Sequence, residues 1–62
     1  MDFVSYLDKR VYITLLDNFF WVGHVVDIEG DFLVLIDKHN KRITLNLKSI
    51  ASIREVENLN GG

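Results

Sequence analysis

The chain has 62 residues, of which nine are acidic and seven basic, so its formal net charge at pH 7 is −2. This balance excludes the general cationic field of a strong nucleic-acid binder, and any contact with nucleic acid has to be local. The absence of cysteine excludes disulfides and zinc–thiolate sites, and the chain holds only two histidines. No metal and no cofactor is therefore expected.

A domain of this length buries only about 60% of the surface that its unfolded chain exposes, which leaves its core marginal. Without disulfides or a metal, oligomerisation is the remaining source of stability. Apolar residues make up 48% of the chain, a high share for so small a domain. Part of that apolar surface is expected to meet another copy or a partner.

Two features of the sequence bear on membranes and export. No apolar stretch approaches the roughly 18 residues that a membrane-spanning helix needs. The start, Met1-Asp2-Phe3, lacks the basic residues of a signal peptide. The sequence therefore predicts a soluble, cytoplasmic protein with no membrane partner.

The N-terminal segment has helical spacing. Phe3, Val4 and Leu7 predict a short amphipathic helix over residues 1–8, with Asp2 at its N-cap. We expect this helix to cover one open end of a β-structure. Alternating and β-branched apolar runs then predict five strands, at about 10–16, 20–29, 32–37, 41–46 and 50–56.

The connections between the strands are short, and three of them carry residues that tolerate tight turns: Asp17-Asn18, Gly30-Asp31 and His39-Asn40. Gly23 interrupts the apolar second strand, which predicts a sharp bend or the close approach of another backbone. The fold expected is mostly β: a short helix followed by a five-stranded, strongly bent antiparallel SH3-like barrel.

The first two predicted strands carry a series of alternating aliphatic, turn and glycine positions: Val11-x-Ile13-x-Leu15, Asp17-Asn18 and Trp21-x-Gly23-x-Val25. This series resembles the first motif of the Sm-like family. The apolar run 32–36 and Ile43-x-Leu45 agree as well. The chain is thus similar to the Sm-like family, including its bacterial Hfq branch, over residues 8–56.

This resemblance implies a single Sm-like domain over residues 1–57, with its Sm-fold barrel at 10–56 and a flexible tail at 58–62. It also implies a homo-oligomeric ring of five to seven subunits, in which strand four pairs with strand five of the next subunit. Pairing the two open edges satisfies their backbone groups. We expect Ile53 among the apolar contacts between subunits.

The resemblance implies an RNA site whose residues depart from the family pattern. Sm proteins hold uracil with an asparagine between strands two and three and an Arg-Gly pair after strand four, where this chain has 29–32 and Asn46-Leu47. The Hfq branch fits more closely, because Phe32 falls near its base-stacking aromatic and Leu47-Lys48-Ser49 is similar to its Tyr-Lys-His. The candidate RNA-binding residues are Gly30, Phe32, Asn46, Lys48 and Ser49.

Each of these residues has a second interpretation. Phe32 stacks on a base, or it is a core residue at the start of strand three. Lys48 contacts a phosphate or a base edge, or it is a solvated loop lysine. Glu29 and Asp31 are expected on the same rim, where their charge weakens phosphate binding.

A second candidate site is the densest basic cluster, which consists of Lys38, His39, Lys41 and Arg42. Repeated around a ring, it would form a positive crown away from the first site. Its alternative is a solubilising hairpin tip.

No catalytic residues are predicted. His24 and Asp27 lie three positions apart, and on a regular strand they point to opposite faces, which excludes an acid–base pair. The aromatic run 19–21 cannot all face one core, so at least one of its rings is expected at an interface.

Three functions remain open. The first is a non-enzymatic ring that binds single-stranded RNA in RNA metabolism or regulation. The second is a ring of the same fold that has lost the base pocket and binds protein or serves as a scaffold. The third is a monomeric SH3-like reader of peptides or nucleic acid.

Overall fold

The structure is a computed structural model that describes residues 3–56. Its elements are η1 (Phe3–Tyr6), β1 (Arg10–Leu15), β2 (Phe20–Glu29), β3 (Phe32–Ile36), β4 (Arg42–Asn46), η2 (Leu47–Ser49) and β5 (Ile50–Glu55). The five predicted strands are confirmed, each within one residue of its predicted bounds. The predicted tail, 58–62, lies outside the described residues.

The strands form one antiparallel sheet in the order β4-β3-β2-β1-β5. The three predicted bends are confirmed by residues with positive φ: Asn18 at 75°, Gly30 at 58° and Asn40 at 66°. Within residues 3–56, β4 and β5 each pair with one strand only, so the sheet is not closed. Closure into a barrel stays a prediction.

The N-terminal segment is shorter than the expected helix over residues 1–8. It forms a single 3-10 turn, Phe3–Tyr6. Asp8 then takes a φ of 67°, and its N–H donates to the carbonyl of Val25 at 2.8 Å. A left-handed residue tied to the sheet cannot continue a helix. The predicted cap, Asp2, lies outside the described residues.

One face of the sheet carries the core. Its buried residues are Val11, Ile13, Val25, Leu33, Leu35, Leu45 and Ile53. Fully burying such a side chain contributes about 1.5–3 kcal/mol. The burial of Ile53, which pairs with Ile13 and is 8% exposed, corrects the expectation that it contacts the next subunit. Ile53 lies on the core face because it sits directly across from Ile13, and cross-strand partners share a face of the sheet.

Gly23 explains how two strands approach each other. A Cβ at this position would lie 2.6 Å from the carbonyl oxygen of Ile36 and 2.7 Å from Cδ1 of Leu35. The predicted close approach of another backbone is therefore confirmed. The register of β2 and β3 also shifts between Val25 and Asp27. Such a bulge bends the strand and increases its twist.

Candidate functional site

The candidate RNA-binding residues lie together at one end of the sheet, which we call the turn end (residues 29–32 and 46–49). Phe32 pairs with Asn46 across β3 and β4. The N–H of Leu47 donates to the carbonyl of Asp31 at 2.8 Å, which holds η2 against the β2–β3 turn. Gly30 sits in that turn, and its φ of 58° suits glycine.

The polar residues of the turn end have defined roles in the local structure. The side-chain oxygen of Asn46 accepts a hydrogen bond from the N–H of Lys48 at 2.8 Å and so caps η2. Asn46 and Ser49 also line a cavity of about 330 Å³, together with Leu15, Leu16 and Thr44 among others. Two of the five candidate residues thus border a space that a small polar group can enter.

Phe32 is an exposed residue at the turn end. Its side chain is 49% exposed, so in this chain it does not belong to the core. It points to the sheet face opposite the core, because its neighbour Leu33 is fully buried and successive side chains alternate. An aromatic ring in this position is open to stacking.

The charge of the turn end opposes binding of an anion. Glu29 pairs directly with Phe32, Asp31 lies in the adjoining turn, and both are exposed. Lys48 is the cation among these residues. Two carboxylates against one ammonium group give this end a negative local balance, as the sequence predicted.

The second candidate site lies at the other end of β3, which we call the hairpin end (residues 37–42). Lys38, His39, Lys41 and Arg42 are all exposed there. One side-chain oxygen of Asp37 accepts hydrogen bonds from the N–H groups of His39 and Lys41, both at 2.9 Å. The bond from Lys41, supported by the bond from His39, holds the pKa of Asp37 below its ordinary value of 3.8.

A cavity of about 380 Å³ adjoins the hairpin end. Its lining combines residues of the second candidate site with residues that sequence reasoning did not assign: Arg10, Phe20, Trp21, Val22, Asp37, Lys38 and His39. The space exists because β3 pairs with β2 only from His24 to Glu29. The segment 20–22 of β2 therefore extends past the last rung of β3, and the hairpin folds beside it.

Next to this cavity, three side chains stack across three strands on the face opposite the core. The rings of Tyr12 and Phe20 lie 5.3 Å apart at an interplanar angle of 5°, and the guanidinium carbon of Arg54 lies 4.8 Å from the centroid of Tyr12. Sequence reasoning missed this stack. Its signal was available, because counting outward from the Asp17-Asn18 turn places Tyr12 and Phe20 on one face.

The aromatic run of the first hairpin divides between surface and core. Phe19 and Phe20 are 68% and 58% exposed, whereas Trp21 is partly buried and packs against the core. With Leu16, which is 69% exposed, they form an apolar surface at this hairpin. The division agrees with the expectation that the three rings do not share one core.

The geometry expected of His24 and Asp27 is wrong. Because of the bulge in β2, His24 pairs with Ile36 and Asp27 with Val34. These partners are two residues apart on β3, so His24 and Asp27 share a face rather than pointing oppositely. Both are exposed, and no group of three metal-binding side chains occurs within residues 3–56.

Comparison of this chain with protein-family models, with curated proteins and with solved structures finds no match. In the part of the chain that the structure describes, no helix has the length and apolar content that crossing a membrane requires.

Proposed function

We propose that this chain assembles into an Sm-like homo-oligomeric ring that binds single-stranded RNA in the cytoplasm, without enzymatic activity. The observation that carries the proposal is the pairing of a half-exposed Phe32 with Asn46 beside Lys48. This arrangement offers a stacking surface, an amide and a cation within one end of the sheet. Single-stranded nucleic acid is bound by that combination of groups.

The ring is supported by the two open edges of the sheet. β4 and β5 are the outer strands of the order β4-β3-β2-β1-β5. Head-to-tail pairing of one subunit's β4 with the next subunit's β5 would satisfy both rows of backbone groups and bring five to seven copies into a closed ring. We expect the five strands of each subunit to bend into the SH3-like barrel, and this pairing to join one barrel to the next.

The open edge of β4 allows a specific test of the ring. The pairs Asp37–Lys41 and Asp31–Leu47 hydrogen bond at the two ends of the β3–β4 ladder. Thr44 lies three residues from each end. Because hydrogen-bonded pairs alternate along an antiparallel ladder, the N–H of Thr44 points away from β3 toward the open edge.

Thr44→Pro therefore removes an outward N–H without removing a hydrogen bond to β3. We expect the parent protein to be a ring at micromolar concentration and this variant to be a monomer, as measured by light scattering. Thr44→Val keeps the N–H and is the matched control, so it should assemble like the parent. A monomeric parent would contradict the ring and favour a monomeric SH3-like reader.

Titration with short uridine-rich and adenine-rich RNA oligomers at a stated salt concentration tests the RNA site. Phe32→Leu should weaken binding across sequences, by a loss of about 1–3 kcal/mol per stacked base. Lys48→Gln should weaken it and lower the salt slope by about 0.7. Lys9→Gln, at an exposed position outside both candidate sites, is the control and should leave this binding nearly unchanged.

The alternative function is a ring of the same fold that has lost the base pocket and binds protein or serves as a scaffold. The two carboxylates beside Phe32 favour it, and so does the exposed apolar surface at Leu16 and Phe19. An assembled parent that binds neither oligomer at about 50 mM salt, where phosphate contacts are favoured, would establish this alternative over the RNA-binding ring.

A further inference from the structure

We propose that the cavity beside the hairpin end is a second binding site, which takes a nucleoside phosphate with its base on Phe20 and its phosphate on Arg10 and Lys38. These three residues line one cavity of about 380 Å³. That volume lies in the range of small-molecule sites, about 300–1,000 Å³. The site is separate from the turn end, because the two lie at opposite ends of β3.

The aromatic part of the site is already in place. Phe20 is held by its parallel stack on Tyr12, which is in turn capped by Arg54. Phe20 nevertheless remains 58% exposed. A planar base stacked on it would extend an existing series of stacked groups, and a ring that is already fixed loses little entropy on binding.

The charge of the cavity favours an anion, in contrast to the net charge of the chain. Arg10 and Lys38 contribute two cations to the lining, and Asp37 contributes one carboxylate. The carboxylate accepts hydrogen bonds from two N–H groups of its own hairpin, which offset part of its charge. Guanidinium and ammonium groups are the side chains that bind phosphate oxygens most strongly.

The position of the site follows from the register of the sheet. β3 leaves the ladder at Ile36, opposite His24, while β2 begins four residues earlier, at Phe20. The backbone 20–22 thus has β1 on one side and the cavity on the other. A ligand that inserts a flat ring and an anionic group fits beside a strand end of this kind, whereas an extended peptide has only three residues to pair with.

Trp21 provides a direct measurement, because it is the only tryptophan of the chain and lines the cavity. We expect adenosine 5′-monophosphate to change Trp21 fluorescence with a Kd in the millimolar range. Adenosine and inorganic phosphate, each lacking one half of the ligand, should bind at least about fivefold more weakly. A 5′-phosphorylated adenine trinucleotide distinguishes a free nucleotide from the end of a strand, which should bind more tightly if a strand is the source.

Variants locate the site within the chain. Phe20→Leu should weaken binding of adenosine monophosphate about fivefold or more, and Arg10→Gln and Lys38→Gln should each weaken it and reduce its salt dependence. Arg10 and Lys38 are exposed, so these two variants should keep the melting temperature of the parent. Lys48→Gln is the matched control at the turn end and should have no effect.

Three results would overturn the proposal: no fluorescence change up to about 10 mM nucleotide at about 50 mM salt, equal binding of adenosine or phosphate alone, or equal weakening by Lys48→Gln. Failure of RNA binding at the turn end would leave this site unaffected, because no residue is shared between the two. Success here together with that failure would assign nucleotide binding to the hairpin end alone.

Discussion

The two ends of β3 are built alike but carry opposite charge. At the turn end the oxygen of Asn46 accepts from an N–H two residues later at 2.8 Å, and at the hairpin end the oxygen of Asp37 does the same at 2.9 Å. One cap is a neutral amide and the other a carboxylate. The surrounding charges are reversed, with Glu29 and Asp31 at the first end and the basic cluster at the second.

This difference shows that the local backbone structure does not determine the charge of the residues around it. A cap needs an oxygen at a given position, and either an amide or a carboxylate supplies it. The charged residues around the cap can then differ between the two ends of β3 without changing the cap itself. Beside the hairpin end, two cations outnumber the one carboxylate that lines the cavity with Phe20, whereas at the turn end Phe32 pairs with Glu29.

The largest expected effect is loss of the whole fold, which would abolish both candidate sites. Gly23→Val places a branched side chain where even a Cβ lies 2.6 Å from the carbonyl oxygen of Ile36. Because that contact involves backbone of β3, it cannot be relieved by a rotamer change. We expect the free energy of unfolding to fall by roughly 3 kcal/mol or more, which abolishes folding of a marginal domain. Urea titration followed by Trp21 fluorescence measures it.

The comparison variant for this prediction is Gly30→Ala. A Cβ at Gly30 meets nothing within 4 Å, but φ is 58°. Its cost is therefore limited to backbone strain, about 1 kcal/mol. If the two variants unfold at the same urea concentration, the close approach of β2 and β3 is not what requires glycine at position 23.

The strands and turns were predictable because their signals are local. Alternation along residues 10–16 and turn residues such as Asn18 and Gly30 act within a few positions. The register shift in β2 and the positive φ of Asp8 depend on partners far along the chain, so no local sequence pattern could predict them. The turn-end residues came from a family resemblance, whereas the cavity at Phe20 and Arg10 required the register of two strand pairs.

The second prediction reverses the charge of the turn end. Replacing Glu29 by Gln and Asp31 by Asn removes two negative charges beside Phe32. Phosphate repulsion then falls, and under the proposed function RNA binding should tighten, on the order of tenfold or less at about 50 mM salt. Fluorescence anisotropy of a labelled oligomer measures the change.

A matched pair elsewhere separates local from overall charge. Asp8→Asn with Glu55→Gln removes the same two charges away from the turn end, at exposed positions before β1 and on β5. This control should tighten binding clearly less, because exposed charges beyond about 10 Å are screened at 0.1 M salt. Equal tightening by both pairs would mean that net charge, and not the turn end, governs affinity.

The smallest expected effect is a pH response confined to the hairpin end. The pKa of Asp37 is lowered in the folded protein, first by its hydrogen bond from Lys41. A folded pKa below the unfolded one stabilises the hairpin at pH values above about 4, and this contribution is lost as pH falls through the folded pKa. The amide of Asn46 does not titrate, so the cap of η2 should persist. As pH falls from about 6 to 2, the NMR signals of the backbone N–H groups of His39 and Lys41 should shift, and these hydrogens should exchange faster with solvent. The N–H of Lys48 should keep its hydrogen bond and its slow exchange.

The variant Asp37→Asn is the control for this pH response. It should remove the change at acid pH from the signals of His39 and Lys41, and an unchanged response in this variant would mean that another group controls the hairpin.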